Sequence, residues 1–180
     1  MAGLSTYNIA FKGLAMGSHE FDFQIDKKFF DHFDGGIAED GDVQAKVILE
    51  KQSALIVLWF HISGTVKVQC DRCLDMYDQA VASENRVFIK YGEDSFEDGD
   101  DVIWVDVNEH QVNIAQMLYD FIMLALPIRQ VHPKDKNGKR ACNPEMLKKL
   151  KELSYNSNSA DQEEQSDSRW DDLKKLLENE

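Results

Sequence analysis

Val66-Lys67-Val68-Gln69-Cys70-Asp71-Arg72-Cys73-Leu74 is the stretch on which the reading of this chain turns. Val66 and Val68 alternate with polar neighbours, the two-residue period of a half-buried strand. The strand runs straight into a Cys-x-x-Cys turn, and Tyr77 to Tyr91 continues extended beyond it. Two thiols at this spacing can bind one metal ion, close a disulfide or do redox chemistry, and they can also stay reduced and pack as small apolar groups. Redox work asks for the motif at a helix N-terminus in a strand–helix–strand setting, where the thiolate is stabilised. Here extended sequence flanks it on both sides.

Working outward, Gly64 reads as a turn, Ala54 to Ile62 as a central strand apolar on both faces, and Val43 to Glu50 as an alternating strand. Residues 4 to 25 read as two strands, through Tyr7, Ile9 and Phe11 and then Phe21, Phe23 and Ile25. Between these and Val43, Asp26 caps a short helix from Lys27 to Phe33 that Gly35 and Gly36 end. Downstream, Glu93, Asp94, Glu97, Asp98, Asp100 and Asp101 read as a solvated hairpin loop, because the spacing and central glycine of a calcium-binding EF-hand loop are missing. Val102 to Val107 follows as a short strand. Asn113 caps a helix from Ile114 to Leu126, whose apolar face reads as core, with Pro127 just past its end. Ile128 to Cys142 is loop-like, and Pro144 opens a helix reaching Leu153. No internal repeat is apparent. The expected class is α+β, a mainly antiparallel sheet or partial barrel followed by helices.

One such domain over residues 1–153 is expected, followed by an acidic linker and a short amphipathic helix within 154–180. The 43% hydrophobic fraction of 180 residues is enough for a real core. The start shows no signal-peptide pattern, and the longest apolar runs, Ala54 to Phe60 and Ile122 to Pro127, are too short to span a bilayer. Three cysteines, an odd number, argue against a disulfide framework. A soluble, cytoplasmic protein is expected.

A net charge of −13 argues against a generic nucleic-acid binder, because phosphates would be repelled. The charge is uneven, however. Between Arg129 and Lys151 eight cations face only Asp135 and Glu145, a local net of +6 in an acidic chain. Cys142 and His132 lie inside that basic segment. Together with Cys70 and Cys73 they would make a Cys3His zinc site pinning the basic loop to the cysteine turn, although the ten-residue step from His132 to Cys142 is longer than a zinc knuckle uses. Arg72, Arg129, Lys134, Lys136, Lys139 and Arg140 are the candidate RNA contacts. Trp170 and Leu173 in the terminal stretch are the candidate partner contacts.

Catalytic patterns are wanting. His19, His32, His61 and His110 fall on different elements, and there is no P-loop, dinucleotide fingerprint or nucleophile elbow. No small-molecule substrate is evident, and a non-enzymatic role is expected.

Cys70-Asp71-Arg72-Cys73-Leu74 after a Gly-x-Val strand resembles the YceD family of large-ribosomal-subunit RNA accumulation proteins. Leu124-Ala125-Leu126-Pro127-Ile128, the later Cys142 and the closing Arg169-Trp170-x-x-Leu173-Lys174-Lys175-Leu176 are similar too. The resemblance implies a bacterial or plastid protein that serves accumulation of 23S ribosomal RNA and assembly of the large subunit, without catalysis. Many relatives carry further cysteines after the Leu-Pro stretch; here Cys142 remains, with His132 as the substitute. An alternative is an adaptor whose acidic surface binds basic ribosomal proteins. The expected partners are thus ribosomal RNA or ribosomal proteins, with no membrane.

Overall fold

The computed structural model describes residues 2–33, 36–92, 101–134, 136 and 138–154. The expected linker, and the terminal helix with Trp170 and Leu173, lie outside them. So does most of the acidic stretch after Gly92.

Among the described residues, seven strands and three helices follow a 3-10 turn, Ala2–Tyr7. They are β1 (Asn8–Ala10), β2 (Gly17–Ile25), α1 (Lys27–Phe30), β3 (Asp40–Lys51), β4 (Leu55–Gln69), β5 (Met76–Tyr91), β6 (Val102–Val105), β7 (Gln111–Asn113), α2 (Ala115–Leu124) and α3 (Pro144–Leu153). Five strands form one open sheet in the order β2-β3-β4-β5-β6, and β1 pairs with β7 in a separate two-stranded ladder. The first four strands of the large sheet form an antiparallel meander. The α+β class is as expected, with the sheet open rather than closed.

The period-2 pattern decides which face is covered. In β4 Ile56, Leu58, Phe60, Ile62, Val66 and Val68 point one way and are buried, as are Val43, Ala45, Val47 and Leu49 of β3. Over that face lie Phe29 and Phe30 of α1, Ile9 and Phe11 from the first strand segment, and Ile114, Ala115, Leu118 and Ile122 from the start and body of α2. The helical spacing of Leu118 and Ile122 puts both on one stripe, and Phe121 meets Phe60 edge-on at 5.1 Å. Each fully buried aliphatic side chain contributes about 1.5–3 kcal/mol, which is why α2 is held although short.

Four local expectations change. Gly64 is no turn: β4 runs through it, and it sits opposite Val43. A Cβ there would lie 2.3 Å from the Asp42 carbonyl oxygen, so glycine permits close approach of two strands within a long bent pair. The N-terminal residues 4–7 curl rather than extend, because Leu4 accepts from the Asn113 side chain and Tyr7 from the Ile114 amide. β6 is parallel to β5, pairing Phe88 with Val102 and Tyr91 with Val105, whereas a hairpin would have made it antiparallel. The intervening segment is long enough to carry the chain back to the level of Phe88. Finally, α1 stops at Phe30, and i→i−3 bonds from His32 and Phe33 finish the turn. Asp26 caps it as expected, accepting from the Lys28 amide.

Asn113 ends β7, and its side chain accepts from the Ala115 amide at the start of α2, so it serves the helix one residue earlier than an N-cap. Asn143 caps α3 through the Glu145 amide, with Pro144 in the first turn.

Candidate metal centre

β4 delivers Cys70 and Cys73 at the end of its buried row. The turn is closed by the Leu74 amide donating to the Cys70 carbonyl at 2.9 Å and the Cys70 amide donating to Asp75 at 2.9 Å. Leu74 takes φ +64, a left-handed conformation usually given to glycine, and its side chain is 54% exposed. Asp71 then ties this turn to the segment after α2. Its amide donates to the Gln130 carbonyl at 2.8 Å, and its carboxylate accepts from the Gln130 amide at 2.7 Å. Nothing in the spacing of Asp71 distinguished it from a solvent-facing turn residue. The signal available was only its place inside the Cys-x-x-Cys turn.

Two residues after Gln130 comes His132. An antiparallel bridge between Lys134 and Arg140 folds the basic loop into a narrow hairpin. Continued by two residues on each strand, that register places His132 opposite Cys142, which answers the long ten-residue step between them. Arg140 donates from Nη1 to the His132 carbonyl and fastens the hairpin further.

Cys70, Cys73, His132 and Cys142 are all buried, and their ligand atoms lie within 4.8 Å of one another. His132 turns Nδ1 to the sulfurs, 3.5 Å from Cys73 and 3.7 Å from Cys142. With zinc–sulfur and zinc–nitrogen bonds of ~2.3 and ~2.0 Å, a tetrahedron has a sulfur–nitrogen edge of about 3.5 Å. The residues therefore fit a zinc ion in donor type, number and spacing. Tyr77 packs against the imidazole in a tilted arrangement, with centroids 4.7 Å apart.

Electrostatics point the same way. Burial pushes the Cys70 thiol up, but hydrogen bonds from the backbone of Arg72, Cys73 and His132 and from the His132 side chain outweigh it, leaving a pKa of about 6. Burial and the neighbouring Cys70 and Cys73 push the Cys142 thiol up instead. Cys70 thus gives up its proton more readily than an ordinary thiol and Cys142 less readily, and a cation bound among them would favour the thiolate forms.

The candidate RNA contacts divide. Arg72 and Arg129 each neighbour in sequence one member of the Asp71–Gln130 pair, Arg72 half-buried and Arg129 exposed. Lys134, Lys136 and Lys139 are exposed on the hairpin, and Pro133, Lys134, Lys139, Arg140 and Ala141 surround a surface depression of about 370 Å³. Arg140 is half-buried and committed in part to the His132 carbonyl. Trp170 and Leu173 are not among the described residues. No helix among the described residues is long and apolar enough to cross a membrane.

Residues 58–177, two-thirds of the chain, match the family model described as large ribosomal RNA subunit accumulation protein YceD. No curated protein and no solved structure matches. The match takes in both cysteines of the turn, the His132–Cys142 hairpin and the basic segment, and the chain belongs to the YceD family.

Proposed function

We propose that this chain is a non-catalytic factor in 23S ribosomal RNA accumulation and large-subunit assembly, with a zinc-pinned basic hairpin as its RNA contact. The observation that carries the reading is the meeting of Cys70, Cys73, His132 and Cys142 in one buried cluster. That cluster joins an otherwise thinly supported basic loop to the rigid end of β4. A bound zinc ion would supply tetrahedral cross-linking, with all four positions taken by protein and none left for substrate.

The chain's own residues do the rest. Asp71 and Gln130 hold the two segments in register, and Tyr77 packs against His132. Arg72, Arg129, Lys134, Lys136 and Lys139 form a cationic rim on an acidic protein, suited to phosphate oxygens. A rigid rim spends less side-chain and loop entropy on binding than a free loop would. Family membership supports a ribosomal RNA partner.

The test is metal content per chain, on protein purified without a histidine tag, paired with RNA binding at several salt concentrations. About one zinc per chain, lost with Cys142→Ser, is expected. Each phosphate contact removed by neutralising Lys134, Lys136 or Lys139 lowers the slope of log affinity against log salt by about 0.7–0.9. Metal-free protein, or a slope indifferent to all three lysines, overturns the site.

A further inference from the structure

The face of the sheet turned away from the helices is not uniformly polar. Ile48, Leu55, Trp59, Phe88, Val102 and Trp104 are half-buried yet do not pack against the main core, and Val57 is buried apart from it as well. An antiparallel sheet with one solvated face ordinarily alternates apolar-in and polar-out. Here the outward positions of β4, β5 and β6 break that rule together.

The three rings stand in a diagonal row. Trp59 pairs with Arg86, Phe88 lies two residues further along β5, and Trp104 pairs with Lys90, two further again. Each step crosses one strand and two residues, about 8 Å from strand spacing and rise. Arg86 lies over the rings of both Trp59 and Phe88, at 5.3 and 4.7 Å, and Lys90 lies 5.5 Å from the centre of Trp104. Of the carboxylates on the same face, Glu20 pairs with Lys46 at 2.7 Å and Glu84 lies 3.5 Å from His61, while Glu50 sits opposite Val57, one strand from Phe88.

We infer that this row is a second nucleic-acid contact, a stacking platform for about three unpaired bases of single-stranded RNA. Adjacent-strand aromatics are how sheet surfaces take unstacked bases, since every base has a π-face, and guanidinium planes extend the stack. Arg86 supplies charge that a phosphate backbone needs beside the rings, where an apolar protein partner would need none. The inference rests on the reading of the chain as an RNA-contacting factor. It names the form of RNA, single-stranded, and assigns it to a face that the metal-pinned hairpin does not occupy.

The probe is a labelled, unstructured 12-nucleotide RNA, with a blunt RNA duplex of equal length as control, bound to the full chain. Trp59→Ala and Phe88→Ala each weaken single-strand binding roughly ten- to hundredfold, Trp59→Phe restores most of it, and duplex binding is unchanged. Neutralising Lys134 and Lys136 does the reverse, so failure of the hairpin site and failure of the platform give different patterns. A second measurement uses the unaltered protein, so it stands even if the alanine variants misfold: ultraviolet cross-links from 4-thiouridine in the oligonucleotide fall on peptides holding Trp59 or Phe88. Cross-links confined to other peptides, no single-strand binding, or full binding by folded Trp59→Ala overturns the platform and leaves the patch to a protein partner.

Discussion

Asp71→Ala should loosen zinc without touching a ligand. The carboxylate accepts from the Gln130 amide at 2.7 Å, and Gln130 is itself 8% exposed, so the substitution strands a buried donor. A hydrogen bond to a charged group is worth ~1.5–3 kcal/mol, and the exposure of the Asp71 side chain argues for the lower end, about 1.5 kcal/mol. The Asp71 amide keeps its bond to the Gln130 carbonyl, so the tether weakens rather than vanishes. If this tether helps to bring His132 into the site, a loss of that size appears in zinc affinity as about tenfold. Asp71→Asn keeps an acceptor and should fall in between. Competition against a chromophoric chelator at pH 7.5 reads the affinity, and thermal denaturation with and without added zinc separates local from global effects. An Asp71→Ala protein that holds zinc within twofold of the parent would refute the argument that this pair assembles the centre.

Gly64→Ala should destabilise by about 3 kcal/mol, since its Cβ meets strand backbone at 2.3 and 2.6 Å, and urea unfolding measures it; a change under 0.5 kcal/mol contradicts the close-approach reading. Chelation should expose three reactive thiols where the zinc form shows none, while far-UV circular dichroism keeps its sheet signal, because the main core over β3 and β4 is built without zinc. Loss of the sheet signal would instead make the metal a partner in global folding. Burial, followed by the charge of Asp26, raises the Tyr7 pKa above its ordinary 10.0. The unfolded chain then loses that proton first, so stability falls as pH climbs past 10. Tyr7→Phe should flatten that alkaline slope in urea titrations, and an unchanged slope would assign it to other groups.

Alternation in β3 and β5 and the unbroken apolar run of Ala54 to Phe60 in β4 made these strands legible, because burial of one face forces period 2 and burial of both removes it. The helix after Asn113 and the one opening at Pro144 were legible for the same kind of reason, a stripe and a cap. Gly64 misled, since a glycine that permits close strand contact and one that permits a turn look alike in sequence. The direction of β6 and the existence of β7 left no mark at all. Gln111-Val112-Asn113 is too short to show a period, and its pairing with Asn8–Ala10 is set by the distant placement of both segments over the core. The ligand set was legible as chemistry but not as geometry. Cys142 and His132 seemed too far apart until the Lys134–Arg140 bridge folded the loop between them.

That β1–β7 ladder also has a bearing on how the chain comes off the ribosome. Asn8 pairs with Asn113, so this segment has its strand partner made more than a hundred residues later. At 5–20 residues per second the wait is roughly 5–20 s, during which Ile9 and Phe11 cannot be fully covered, while β2 to β5 can pair neighbour by neighbour as they emerge. Cys70 and Cys73 wait in the same way for His132 and Cys142. The nascent chain therefore holds two unfinished places at once, an apolar one that waits for Asn113 and beyond, and a thiol pair that waits for Cys142.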